Sequence, residues 1–130
     1  DLGAIGLANP SIGPKLDAVI NAVLRLGLPE ARIPLASIVI EMALSPKSNS
    51  AVLAINNALN DVTSVHCGNV PEHIKTTSPN YKYPHDYPNH FVKQEYLPEN
   101  IRNRKYYNPQ NNINELKYKE VLKKIEDLRK

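Results

Sequence analysis

After Asn9-Pro10-Ser11, apolar residues recur at Leu16, Val19, Ile20, Val23 and Leu26. That three-and-four spacing gathers them on one face of a helix, and Gly27 supplies the stop. A second helix opens near Pro34, a residue suited to a first turn. Residues 35–44 are apolar almost all round, with Glu41 as the only charge, which predicts a central, buried helix with the others packed about it. Ser45-Pro46 ends it, Ser48 or Asn49 can cap the next, and Val52, Ile55, Leu59 and Val62 repeat the amphipathic spacing. The expectation is three helices joined by short loops.

From about Val70 to Asn111 the periodicity is lost, and Pro71, Pro79, Pro84, Pro88, Pro98 and Pro109 remove backbone donors throughout. Long helices and central strands are thereby excluded. Such a stretch is disordered by default, yet all seven tyrosines and the single Phe91 lie between Tyr81 and Tyr118. Those rings give it surface to bury, so an irregular arm folded against something is predicted. Asn112 with Glu115 three residues later resembles a capping box, and Leu116, Val121, Leu122, Ile125 and Leu128 form a stripe on a last helix. Glu115 with Lys119, Glu120 with Lys124 and Glu126 with Lys130 stand four apart in the favourable order, expected to pair on a solvated face.

The expected fold is all-α: a small helical bundle with a long irregular Pro/Tyr-rich arm. Its 130 residues fit one domain, read as a helical core at 1–69, the arm at 70–111 and a C-terminal helix at 112–130. No apolar run approaches the roughly 20 residues that span a bilayer. Cys67 is the lone cysteine, which excludes an internal disulfide and points to a reducing, cytoplasmic compartment. Asp1-Leu2-Gly3-Ala4 has neither an initiator Met nor the layout of a signal peptide, so the chain reads as part of a longer one. Up to residue 70, Lys15, Arg25, Arg32 and Lys47 face Asp1, Asp17, Glu30, Glu41 and Asp61; the remaining cations crowd the second half, a mild indication of a polyanion nearby.

Nucleotide hydrolysis is not expected of these residues. A phosphate-binding loop needs spaced glycines followed by Lys and a hydroxyl residue. Gly13-Pro14-Lys15 lacks the second glycine and the hydroxyl, and Pro14 removes an amide a phosphate would need. No catalytic residue, cofactor site or metal site is assigned. His85, Asp86 and His90 are ligand types, but the preferred reading makes the two histidines turn residues packed against tyrosines. Cys67 beside His66 lacks the oxyanion turn of a nucleophile and reads as a half-buried thiol. Lys47 reads as an exposed turn residue next to a helix cap rather than a phosphate ligand.

Two surfaces remain as candidates. Tyr81, Tyr83, Tyr87, Phe91, Tyr96, Tyr106, Tyr107, Leu122 and Ile125 are the candidate oligomer interface, because a tyrosine buries a large ring while its hydroxyl finds a partner. Lys82, Lys93, Arg102, Arg104 and Lys105 interleave with those rings as cations would in a grip on single-stranded DNA, the alternative reading.

Several stretches are more specific. Ile5-Gly6-Leu7-Ala8-Asn9-Pro10, Gly27-Leu28-Pro29-Glu30-Ala31, Pro46-Lys47-Ser48-Asn49 and Tyr81-Lys82-Tyr83-Pro84-His85-Asp86-Tyr87-Pro88 occur in this order, followed by His90-Phe91-Val92, Gln94, Tyr96-Leu97-Pro98 and Arg104-Lys105-Tyr106-Tyr107. Together they resemble the C-terminal region of the replication-associated recombination protein A family, also called MgsA, whose human relative is the Werner helicase-interacting protein. The resemblance implies an AAA+ ATPase similar to clamp loaders, with ATP and Mg bound in an ATPase part that precedes this region. It further implies a collar-like helical domain that assembles a homotetramer, work at stalled replication forks, DNA-stimulated ATP hydrolysis, association with single-strand-binding protein, and a cytoplasmic, nucleoid-associated location.

Overall fold

The computed structural model describes residues 1–64 and 67–130. Five α-helices and a series of short 3-10 turns make up its regular structure, with no strand among the described residues: α1 (Leu2–Ile5), α2 (Ile12–Leu26), α3 (Arg32–Leu44), α4 (Ser50–Ser64) and α5 (Ile113–Arg129). The all-α expectation holds. The chain divides into two compact units, one formed by Asp1–Ala54 with Tyr107–Val121, the other by Ile55–Tyr106 with Leu122–Lys130.

In the first unit the Asp1 carboxylate caps α1 by accepting from the Gly3 N–H at 2.9 Å. A 3-10 turn over Gly6–Ala8 leads into α2. That helix ends as the sequence predicts, at Gly27, whose φ of 70° is the left-handed region glycine tolerates and whose N–H bonds the Val23 carbonyl. Ile5, Ile12 and Ile38 form the buried core, with Leu16, Val19 and Met42 packed against them. Lys15 of α2 and Glu41 of α3 make an ion pair over this contact; both are substantially exposed, so it contributes little.

Helix α3 begins two residues before Pro34, which lies in the first turn, where its missing N–H has no intrahelical partner to lose. The expectation that α3 is buried all round is not met. Leu35, Ile38 and Met42 turn inward, whereas Ile33, Ile40 and Leu44 are 67%, 58% and 81% exposed on the opposite face. Helix α4 departs from expectation similarly. Its covered positions are Ser50, Ala54, Ala58 and Asp61, spaced four, four and three apart, while the apolar stripe Val52, Ile55, Leu59 and Val62 is exposed. Small side chains on one face allow close approach, and the bulky ones are left outward.

In the second unit the irregularity predicted for the arm is present, organised by its prolines. Four 3-10 turns, Glu72–Ile74, Pro84–Asp86, Pro88–His90 and Glu99–Ile101, each have a proline at the cap or first position. Proline presets the φ a turn opening requires and has no N–H to leave unpaired there. Asn89 and His90 have φ of 57° and 53°, a left-handed pair that Asn tolerates and His adopts at some cost. Among the described residues of this unit, Val92 and Ile101 are the buried apolar ones.

Gly6 is the tightest glycine. With φ of 48°, its position would put an added Cβ 2.6 Å from the Ser48 carbonyl oxygen, and the Ser48 N–H donates to the Ala4 carbonyl at 2.9 Å, so backbone meets backbone. Gly6→Ala is expected to destabilise the domain by about 2 kcal/mol, from strain and the forced separation together. Urea unfolding followed by circular dichroism measures it, with Gly13→Ala, where nothing lies within 4 Å of the added atom, as the neutral comparison.

Candidate functional site: two buried carboxylates and a basic groove

Glu115, in the first turn of α5, is 0% exposed. Asn112 caps the helix as predicted: its side-chain oxygen accepts from the Glu115 N–H at 2.9 Å. The reciprocal half differs from a standard capping box, since Glu115 accepts from the Asn112 side-chain amide at 2.6 Å and not from its backbone. Tyr107 donates its hydroxyl to the same carboxylate at 3.0 Å, and the side chains of Ser48 and Ser50 also bond to it. Burial by itself raises this carboxyl's pKa, but the donors outweigh it and bring it from 4.5 down to about 2. Reciprocally, burial and the bond to Glu115 push the Tyr107 phenol up to about 12. The expected pairing of Glu115 with Lys119 is therefore absent: a fully buried carboxylate facing four donors is not on the solvated side of α5. Glu126 is also engaged elsewhere, with Lys105 at 2.6 Å, while Lys130 pairs with Asp127.

Around Glu115 the motif residues interlock. Lys47 donates to the Met42 and Ser45 carbonyls at 3.0 and 2.8 Å, closing the end of α3. This is the turn role expected for it. Ser48 accepts from the Ser50 N–H at 3.3 Å as α4 begins, Gln110 donates to the Asn49 side chain, and Asn114 donates to the Leu7 carbonyl at 2.8 Å. Asn9 reaches Ser45 at 3.0 Å. Stretches far apart in sequence thus converge on one hydrogen-bonded assembly.

The second buried carboxylate, Asp61 of α4, is 6% exposed and belongs to the other unit. Its Oδ2 accepts from the Tyr106 hydroxyl at 2.9 Å and pairs with Arg104 Nε at 3.1 Å. Burial and the bond to Asp61 raise the Tyr106 pKa. Cys67, half-buried as expected, directs its thiol to the Asp61 carbonyl at 3.2 Å. His66 lies outside the described residues. His85 packs on Tyr83 with centroids 4.9 Å apart, the tyrosine packing expected of it, whereas His90 meets the His85 ring at 4.8 Å and not a tyrosine.

Of the candidate DNA-contact cations, Arg102 meets Glu99 at 3.4 Å, Arg104 meets Asp61, Lys105 meets Glu126, and Lys93 donates to the Lys130 carbonyl at 3.2 Å. Lys82 makes no ion pair among the described residues; it borders a separate hollow with His73, Tyr81 and Lys93. Arg102, Arg104 and Lys105 instead line one groove of about 380 Å³ with Tyr96, Asn103 and Arg129, and Glu95 is its acid. Arg129 lies 6.0 Å from the centre of the Tyr96 ring, within cation–π range. Among the candidate interface residues, Tyr81, Tyr83, Tyr87 and Tyr96 are exposed, whereas Phe91, Tyr106, Tyr107, Leu122 and Ile125 are half-buried. Sequence reasoning missed Asp61. The signal was available as an acid in register with Ala54 and Ala58, outside the apolar stripe.

Helices knotted around buried carboxylates define a small all-α domain, and the comparisons specify which. A family profile described as "MgsA AAA+ ATPase C terminal" matches residues 3–126, and the chain belongs to that family. It is 45% identical to Replication-associated recombination protein A of Bacillus subtilis (strain 168), covering 95% of this chain and 31% of the relative. The protein of the same name from Haemophilus influenzae is 28% identical over 95% of this chain and 30% of the relative. That from Coxiella burnetii is 34% identical over 75% and 25%. The chain therefore spans about a third or less of these relatives' lengths. No helix among the described residues is long and apolar enough to cross a membrane.

Because the Glu115 carboxyl is held at about 2 in the folded state against 4.5 ordinarily, its stabilising contribution is complete above pH 4.5 and is lost as pH falls towards 2. The full linkage is about 3 kcal/mol. Chemical unfolding compared at pH 7 and pH 3 should show the wild-type domain losing much of this, and Glu115→Gln, which is already weakened at pH 7, losing distinctly less. Stability should also decline between pH 10 and 12 through ionisation of Tyr107, a fall that Tyr107→Phe removes.

Proposed function

We propose that this chain is the oligomerisation and partner-binding domain of an AAA+ ATPase that acts at stalled replication forks, in DNA replication, recombination and repair. The observation that carries the reading is the second apolar face of α3. Ile33, Ile40 and Leu44 lie opposite the core-facing Ile38 and are exposed. Leu24, Leu26 and Leu28 at the end of α2 and in the turn after it add to the exposed apolar surface of the same unit. A monomeric soluble protein rarely leaves a contiguous patch of this kind in water, because each buried side chain of that size gains roughly 1.5–3 kcal/mol. A second copy of the chain is the occupant we assign, with four copies in the assembly. The tyrosines of the arm and the half-buried Leu122 and Ile125 would extend the contact.

In the full-length protein, ATP and Mg would be bound in the ATPase part, and the assembled collar would hold those modules together near DNA with single-stranded regions and single-strand-binding protein. The relatives' name, Replication-associated recombination protein A, favours that setting.

Light scattering across protein concentration tests assembly directly. A multiple of the 14.6 kDa chain mass, four-fold at high concentration, is the expected result. Ile40→Asp combined with Leu44→Asp should shift it to one chain mass with helical circular dichroism unchanged. A wild-type domain that remains monomeric at the highest concentrations sinks the reading.

A further inference from the structure

We infer that residues 92–96 form an open strand edge that takes an extended peptide from a partner protein, paired antiparallel through the backbone, with an acidic side chain opposite Lys93 and a basic one opposite Glu95. This names a kind of partner for the partner-binding half of the reading above. The edge lies within the second unit and does not involve the apolar face of α3.

No helix, turn or bend interrupts residues 91–96, and Phe91 at their start has φ of −124° and ψ of 134°, values of an antiparallel strand. Burial alternates as it does along a strand: Val92 is buried and Gln94 half-buried, while Lys93 and Glu95 are exposed. Nothing pairs with this strand. Among the described residues no backbone–backbone hydrogen bond includes any of residues 92–96. The one side-chain contact to their backbone is His73 Nε2, which donates to the Glu95 carbonyl at 2.7 Å. Val92 is only 6% exposed, a burial at which backbone groups are nearly always paired. An extended run with a period-two burial pattern and an empty ladder is a template for an added strand.

The His73 contact identifies the open edge. In an antiparallel strand the N–H and C=O of one residue point to the same side, and those of its neighbours to the other, so Glu95 and Lys93 share the edge that His73 marks. His73, Lys93 and Glu95 border one hollow of about 590 Å³, completed by Gln94, Pro79, Asn80, Tyr81 and Lys82. No backbone hydrogen bond joins its two sides; Gln94 Nε2 reaches the Lys82 carbonyl at 3.5 Å. Charge then selects the occupant. Lys82, Lys93 and Glu95 make no ion pair among the described residues, and opposite charges directly across a strand pair are favoured where like charges repel. The peptide therefore carries a base and an acid two positions apart. A run of acids would suit Lys82 and Lys93 but set a like charge against Glu95. Antiparallel pairing is chosen because it is the more stable per residue.

The test is a titration of the isotope-labelled chain with the capped peptide acetyl-Thr-Val-Lys-Val-Asp-Val-Thr-amide, read by amide chemical shifts and hydrogen exchange. Shifts should concentrate at residues 79–82 and 92–96. At saturation, exchange of the Lys93 and Glu95 amides should slow about tenfold, the worth of one net hydrogen bond, with the Gln94 amide unchanged. Methylating the backbone nitrogens of the peptide's Lys and Asp, which face the strand in this register, should abolish binding, whereas methylating those of its Val residues should not. A peptide with Lys and Asp exchanged should bind the wild type several-fold more weakly. The double variant Lys93→Glu with Glu95→Lys should prefer that exchanged peptide; both positions are exposed, so the fold is kept. The inference is overturned if the peptide leaves the amides of residues 92–96 unmoved at millimolar concentration, if methylation at Lys and Asp matters no more than at Val, or if the charge preference does not invert. Protection of these amides that rises with protein concentration in the absence of peptide would assign the edge to a second copy and equally overturn it. None of these readouts uses the mass of the assembly, so a monomer that binds the peptide and a tetramer that does not are told apart.

Discussion

A carboxylate with no access to water organises the first unit. An ionised group moved out of water is tolerated only when donors replace its hydration, and Glu115 has them from Ser48, Ser50, Tyr107 and Asn112. Those donors come from three separate stretches of chain, so satisfying one charge fixes the start of α4, the end of the arm and the start of α5 together. The consequence extends outward: Ser48 also holds the Ala4 carbonyl, which brings the Gly6 backbone against it and leaves no room for a side chain. A core as small as Ile5, Ile12 and Ile38 leaves much of the specification to this polar network.

Asp61 does for the second unit what Glu115 does for the first, with a different set of partners. Its partners are Tyr106 and an arginine whose outer edge remains free. The adjacent tyrosines 106 and 107 each satisfy one of the two buried carboxylates, so the Arg104-Lys105-Tyr106-Tyr107 motif is largely structural. Its cations are placed by that architecture, which turns a merely basic segment into a groove with defined geometry.

The exposed faces of α3 and α4 have the opposite character. Both helices have bulky apolar side chains outward and put smaller or fewer residues inward. A helix that is apolar all round has one face for its own chain and another for something else, and amphipathic periodicity cannot tell which is which.

The helices, their ends and the proline-punctuated arm were legible in the sequence, because spacing, Gly27, Ser45-Pro46 and the Asn112 cap act locally. So was the likeness to the family to which the chain belongs. The sequence did not determine that Glu115 and Asp61 are buried, that Arg102, Arg104 and Lys105 meet Arg129 across about 25 residues of chain, or that Val52, Ile55, Leu59 and Val62 point outward. Charge at i and i+4 looks the same whether a face is solvated or sealed. Only tertiary structure brings the donors that reverse the cost of burying a carboxylate, and so decides which carboxylates can be buried.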